Sequence, residues 1–154
     1  MECGLEEVQF AFLLPCSPPS FLPCFQLRRK MALFRGIRVT NFGPSSVLKI
    51  DQAIPALAPA KNQVLVRVHA ASVNPIDTYI RNGKYAGLPS LPYIPGRDGA
   101  GVVEGVGEGV TSLKKGDRVY IVTSSTGTYA EYALAEQANV FKLNAKASFE
   151  EGAW

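Results

Sequence analysis

A few groupings in this 154-residue chain have the residue types that chemistry needs: the glycine run Gly105-Val106-Gly107-Glu108-Gly109, the single histidine His69, and the adjacent charges Arg97 and Asp98. A phosphate-cradling dinucleotide loop requires G-x-G-x-x-G at the opening of a helix, with an acidic residue about 20 positions later. Here the third glycine comes one residue early, and Thr111 to Asp117 reads as loop and turn, so these glycines are expected at turns and bulges. His69 sits in an alternating apolar run with no defined partner, which marks it as a structural or surface residue rather than a general acid or base. Neighbours in a strand point to opposite faces, so Arg97 and Asp98 need not meet; they read as a structural ion pair or as the polar rim of a cleft, with no catalytic role. Cys3, Cys16 and Cys24 are 13 and 8 residues apart, which matches no usual zinc spacing.

The elements that would position these groups are short. Gly36–Thr40 alternates apolar and polar residues as a half-buried strand does, Asn41–Pro44 turns, and Val47–Ile50 reads as a second short strand. Pro55 and Pro59 punctuate a loop before Gln63–Ala70, the strongest β signal in the chain. Pro75 suits the first turn of a helix, Ile76, Tyr79 and Ile80 recur at helical spacing, and Gly83 can end it. The run Pro92–Gly107 reads as structured β with tight bends, followed by strands at Arg118–Val122, Tyr129–Leu134 and Val140–Leu143. Ser148 with Glu151 three residues later has the form of a capping box, so a helix is expected to begin there. Short strands with regular turn signals predict a small, mainly β, barrel-like domain with short helices.

Composition sets the limits. With 47% hydrophobic and 19% charged residues, the chain can bury the core of one domain. A formal charge of +3, with Arg28-Arg29-Lys30 as the one dense basic cluster, gives no argument for nucleic acid. Residues 1–30 hold every cysteine and are broken by Pro15, Pro18, Pro19 and Pro23; they cannot form the roughly 20-residue apolar helix that spans a membrane. Early glutamates and interrupting prolines also make them a poor signal peptide. They read as a disordered leader or a piece of upstream coding sequence, with Met31 as the natural-looking start.

Three segments in order, Ala71-Ser72-Val73-Asn74-Pro75-Ile76-Asp77-Thr78-Tyr79-Ile80-Arg81, Pro92-Tyr93-Ile94-Pro95-Gly96-Arg97-Asp98-Gly99-Ala100-Gly101-Val102-Val103-Glu104-Gly105-Val106-Gly107 and Lys114-Lys115-Gly116-Asp117-Arg118-Val119, carry a resemblance. From about Arg35 to Ala153 the chain resembles the catalytic domain of medium-chain dehydrogenases/reductases, in the zinc-free quinone oxidoreductase (zeta-crystallin-like) branch. The resemblance implies a GroES-like, partly open β-barrel of the alcohol-dehydrogenase N-terminal type over 31–147. Residues 148–154 would then be the cut start of a helix leading to a Rossmann domain absent from the chain. It implies an NADPH-dependent reductase of small-molecule quinones or enones, cytoplasmic, with no membrane partner, and a homo-oligomer when complete. Asn74 and Arg97 match the cysteine and histidine that hold zinc in zinc-dependent relatives, and neither an amide nor a guanidinium is a plausible zinc ligand, so no metal is expected. By family position Tyr79 would contact NADPH and Asn74 would lie close to the nicotinamide, although Tyr79 could instead pack the helix onto the barrel. Gly127-Thr128-Tyr129 resembles a Gly-Gly-Tyr segment bordering the substrate cleft, with Thr128 in place of the second glycine. No residue is assigned catalysis. The rival expectation is a catalytically inactive truncated barrel, acting as a binding module or existing as a degraded fragment.

Overall fold

β3 (Gln63–Ala71) is the organising strand, because its β-branched residues fit a pleated surface buried on one side. Val64 and Val66 are fully buried, while Arg67 between Val66 and Val68 is exposed. The computed structural model describes residues 33–154, so the three cysteines and the expected 1–30 leader lie outside the described residues. Antiparallel neighbours flank β3: β4 (Gly99–Val106) on one side and β6 (Tyr132–Glu136) on the other. β5 (Arg118–Ile121) and β7 (Val140–Lys142) extend the β4 side, giving the order β6-β3-β4-β5-β7. β1 (Leu33–Arg38) and β2 (Lys49–Pro55) form a separate antiparallel ribbon. Isolated bridges tie that ribbon to Ala130, two residues before β6, through Gly36, and tie Val39, just after β1, to Tyr93 in the segment before β4. Among the described residues every strand pairing is antiparallel and there is no Rossmann domain.

The core lies on the inward face of the five strands, where Val64, Val66, Val103, Val119, Ile121 and Ala133 pack together under Leu113. Each of these valines and the isoleucine contributes about 1.5–3 kcal/mol by leaving water. Glycine is required where β3 and β4 approach: a Cβ on Gly101 would strike the Arg67 carbonyl oxygen, and one on Gly107 the Ala60 carbonyl oxygen. Two bulges interrupt the β3–β4 ladder, leaving Glu104 and His69 outside the register. The Gly105–Gly109 run is accordingly the end of β4 and a turn, with Gly109 at φ 87°.

Two short α-helices complete the described residues. α1 (Pro75–Arg81) starts on proline, and Gly83 closes it with φ 72° and an N–H donated to the Ile80 carbonyl. α2 (Phe149–Gly152) has the expected capping box: the Glu151 N–H donates to Ser148 Oγ and the Ser148 N–H to Glu151 Oε2. It is pinned to the sheet by Phe149, which stacks on His69 at 4.4 Å and lies 4.6 Å from the Arg118 guanidinium. His69 is thus an exposed bulge residue with a packing role. No described helix is long and apolar enough to cross a membrane.

Three sequence expectations need correction. The strand expected at Val47–Ile50 exists but is displaced: Ser45–Val47 forms a single 3-10 turn, and β2 begins at Lys49 and runs to Pro55. Of Pro92–Gly107 only Gly99–Val106 is strand, because Pro92 and Pro95 lack the N–H a ladder needs and Gly96 turns the backbone to φ 92°. The strand expected at Tyr129 begins at Tyr132, since the N–H groups of Thr128 and Tyr129 are drawn to the Gly96 and Pro95 carbonyls instead. Smaller shifts occur at β1, which starts at Leu33 rather than Gly36, and at β3, which extends to Ala71.

Candidate functional site

Where β3 ends and β4 begins, Ala71 pairs with Gly99, and the chain on either side of that pair carries the polar residues of the site. Asn74 precedes α1 in an extended conformation. Asp77, in the first turn, reaches back so that its Oδ2 accepts the Asn74 backbone N–H at 2.8 Å. The same oxygen accepts the Tyr129 hydroxyl at 3.1 Å, across 52 residues of sequence. Asp77 is therefore a carboxylate only 6% exposed whose burial is offset by two donors. With Asp77 holding its backbone, the Asn74 side chain turns the other way, its Nδ2 donating to Ser72 Oγ at 3.1 Å and to Asp98 Oδ2 at 2.8 Å.

Asp98 is fixed from a second direction, as Thr128 Oγ1 donates to its backbone carbonyl at 2.9 Å. Thr128 is 1% exposed and supports the Asp98 segment from beneath. Burial pushes the Asp98 carboxyl above its ordinary value, helped by repulsion from Asp77 and opposed by Arg97 and the Asn74 amide. The Tyr129 phenol is also held up, first by burial and then by the Asp77 charge that accepts its proton in a hydrogen bond. Tyr93 is raised for the same two reasons. Its hydroxyl is buried with no hydrogen-bond partner among the described residues.

Beside this network lies a cavity of about 310 Å³, walled by α1 through Asp77 and Ile80, by the 85–97 segment and by Ser124–Gly127. Gly127 cannot be replaced without strain: its φ is 97°, and a Cβ there would strike the Ile94 carbonyl oxygen. Ser124 shapes the adjoining turn, its Oγ accepting the N–H groups of Thr126 and Gly127. Arg97 lines the cavity with a single side-chain hydrogen bond, Nη2 to Thr123 Oγ1 at 3.3 Å. Arg97 and Asp98 do not bond to each other, although the reason is the irregular backbone before β4 rather than strand alternation.

The sequence-predicted residues divide among these surroundings. Asn74 and Tyr129 meet through Asp77, Gly127 lines the cavity, and Thr128 is interior support. Tyr79 stands apart, 54% exposed on α1 and outside the cavity wall. Among the described residues no cluster of three or more histidine, cysteine, aspartate or glutamate side chains could hold a metal ion. Sequence reasoning missed Asp77, Tyr85 and Tyr93, and did not separate the surroundings of Arg97 and Asp98. The position of Asp77 three residues after Asn74 was a legible capping signal, but its bond to Tyr129 had none.

Residues 60–145 match the family model of the alcohol dehydrogenase GroES-like domain. The quinone oxidoreductase of Homo sapiens is 50% identical to the chain over 121 residues, covering 79% of this chain and 37% of that protein. Among solved structures, Pseudomonas syringae quinone oxidoreductase superposes with a TM-score of 0.73 at 41% identity, covering 79% of this chain and 37% of the other. Escherichia coli quinone oxidoreductase complexed with NADPH gives 0.72 at 39% identity, covering 77% and 36%. The chain thus spans about 37% of the length of the first curated relatives it matches.

Proposed function

Because this chain belongs to the alcohol dehydrogenase GroES-like domain family, as the N-terminal GroES-like segment of a quinone oxidoreductase, we propose that it forms the substrate side of an NADPH-dependent, zinc-independent reductase of quinones or enones. The observation that carries this reading is the 50% identity to human quinone oxidoreductase, sustained over 121 residues that include both sides of the Asn74–Asp98 site. When bound, NADPH supplies the hydride. This chain's own residues bind, orient and exclude water.

Asn74 and Tyr79 are the proposed cofactor contacts, and the donor set suits a carboxamide. The N–H donors of Asn74 face Ser72 and Asp98, and its amide oxygen, which meets the Asp77 backbone N–H in the capping box, keeps a second lone pair to offer a ligand. The phenol of Tyr79 is exposed and makes no side-chain hydrogen bond among the described residues. Asp77 and Tyr129 then act as positioning residues, fixing the Asn74 backbone before any ligand arrives. Gly127 lets the backbone border the substrate cleft closely, and Thr128 holds the Asp98 segment that orients the Asn74 amide. For the whole protein the family points to a cytoplasmic homo-oligomer acting on small molecules.

The test is NADPH oxidation by the full-length protein with a quinone and, separately, an enone as acceptor. Turnover that survives exhaustive chelation is expected, with the 154-residue chain alone binding NADPH negligibly in a fluorescence titration. Failure of the full-length protein to oxidise NADPH with any such acceptor would overturn the reading.

A further inference from the structure

Arg97 is a cation in a cavity wall that makes no ion pair, its charge reaching the neighbouring Asp98 carboxyl only through space. Four ion pairs occur among the described residues, and none includes Arg97. The carboxylate next to it in sequence, Asp98, presents Oδ2 to the Asn74 amide. The carboxylate in the wall itself, Asp77, has Oδ2 occupied by the Asn74 N–H and the Tyr129 hydroxyl. One long bond to Thr123 uses one of the five N–H donors that a guanidinium carries. The remaining donors belong to a half-buried residue lining about 310 Å³ of space whose walls also include Ile80, Tyr85, Leu88 and Pro89. Such a cavity suits a flat, largely apolar molecule bearing an oxygen that accepts hydrogen bonds.

Resting on the reductase reading, we propose that Arg97 is a catalytic residue that binds the carbonyl oxygen of the unsaturated carbonyl substrate and stabilises the negative charge that develops there. A hydride from the reduced nicotinamide nucleotide, the reductant, adds to the β-carbon and forms the new C–H bond. The conjugated π electrons shift, leaving a pair on the carbonyl oxygen as an enolate. The guanidinium acts by charge-assisted hydrogen bonding alone and transfers no proton. A solvent proton then adds to the α-carbon and restores the carbonyl. With a quinone the hydride is accepted at one carbonyl oxygen as a new O–H bond, and the π electrons shift through the ring to leave a phenolate on the other oxygen, which Arg97 binds. A solvent proton adds to that oxygen to give the hydroquinone. A preorganised cation facing a developing oxyanion does electrostatically what a bound Lewis acid does elsewhere.

The probe is 4-nitrophenol, an oxyanion mimic whose phenolate absorbs at longer wavelength than the phenol, bound to the full-length protein without cofactor. Asp77 and Asp98 oppose its ionisation in the cavity and Arg97 favours it. The bound probe is expected to ionise about one pH unit below the free compound, an approximately tenfold shift in the ionised ratio. In Arg97→Leu that shift should vanish or reverse, in Arg97→Lys part of it should remain, and Lys61→Ala should match the wild type. In turnover with an enone, Arg97→Leu should lower kcat by about 100-fold, the scale of losing one oxyanion donor, with a smaller change in KM. An unchanged probe titration in a folded Arg97→Leu protein, verified by circular dichroism, would overturn the oxyanion site. If the wild type shifts the probe but never oxidises NADPH, the oxyanion site stands and the reductase reading falls, taking the catalytic role of Arg97 with it.

Discussion

The β3–β4 pair has two unlike ends. At one end Val64, Val66 and Val103 are sealed in a core of branched apolar side chains, and the backbone ladder meets the polar requirements. At the other, where Ala71 faces Gly99, order depends on side chains: Ser72, Asn74, Asp77, Asp98, Thr128 and Tyr129 bond to one another or to nearby backbone. The first end is non-directional and tolerates small changes of shape. The second is directional and holds its groups at defined positions, which is the property a binding site needs. One strand pair thereby joins a stabilising region to a positioning region.

The largest effect should come from collapsing the polar end through its backbone. Gly127→Ala adds a Cβ at positive φ against the Ile94 carbonyl, and should cost about 3–5 kcal/mol, strain and overpacking together. Urea denaturation checks this, and an unchanged midpoint would refute the account of the turn. Val66→Ala, at the apolar end, should cost about 2–3 kcal/mol in the same measurement. Its 4-nitrophenol titration should be unaltered, because no polar group moves; loss of probe binding would show that the two ends are not separable.

Tyr93→Phe should raise stability by about 1 kcal/mol, since it removes a buried hydroxyl with no partner while keeping the ring beside Phe42. A destabilised variant would mean that the hydroxyl has a partner outside the described residues. The smallest effect is the pH dependence of Asp98. Its folded value lies above the unfolded 3.8, so its contribution to stability is fully present below pH 3.8 and is lost as pH rises through the folded value. Wild-type stability relative to Asp98→Asn should therefore fall as pH increases from about 4, in a series of urea titrations; a difference that is flat or rises with pH would contradict the raised carboxyl.

Local residue patterns were enough to locate β3, α1, β5, β7 and the α2 cap, because each depends on neighbours within a few residues: alternation, proline at a helix start, and serine three residues before glutamate. The motif segments also carried the family and the GroES-like fold. What failed locally was the glycine and proline punctuation at 92–98 and 127–131, where the N–H groups of Thr128 and Tyr129 bond to the Gly96 and Pro95 carbonyls and those of Tyr93 and Glu131 to Val39 and Arg35, all far away in sequence. The cavity beside Arg97, the stacking of His69 on Phe149 and the bond from Tyr129 to Asp77 were decided only by tertiary structure. They join residues up to 80 positions apart on helices, loops and one bulged strand, where the bulge at His69 resets which side that residue faces, and no short-range pattern encodes such meetings.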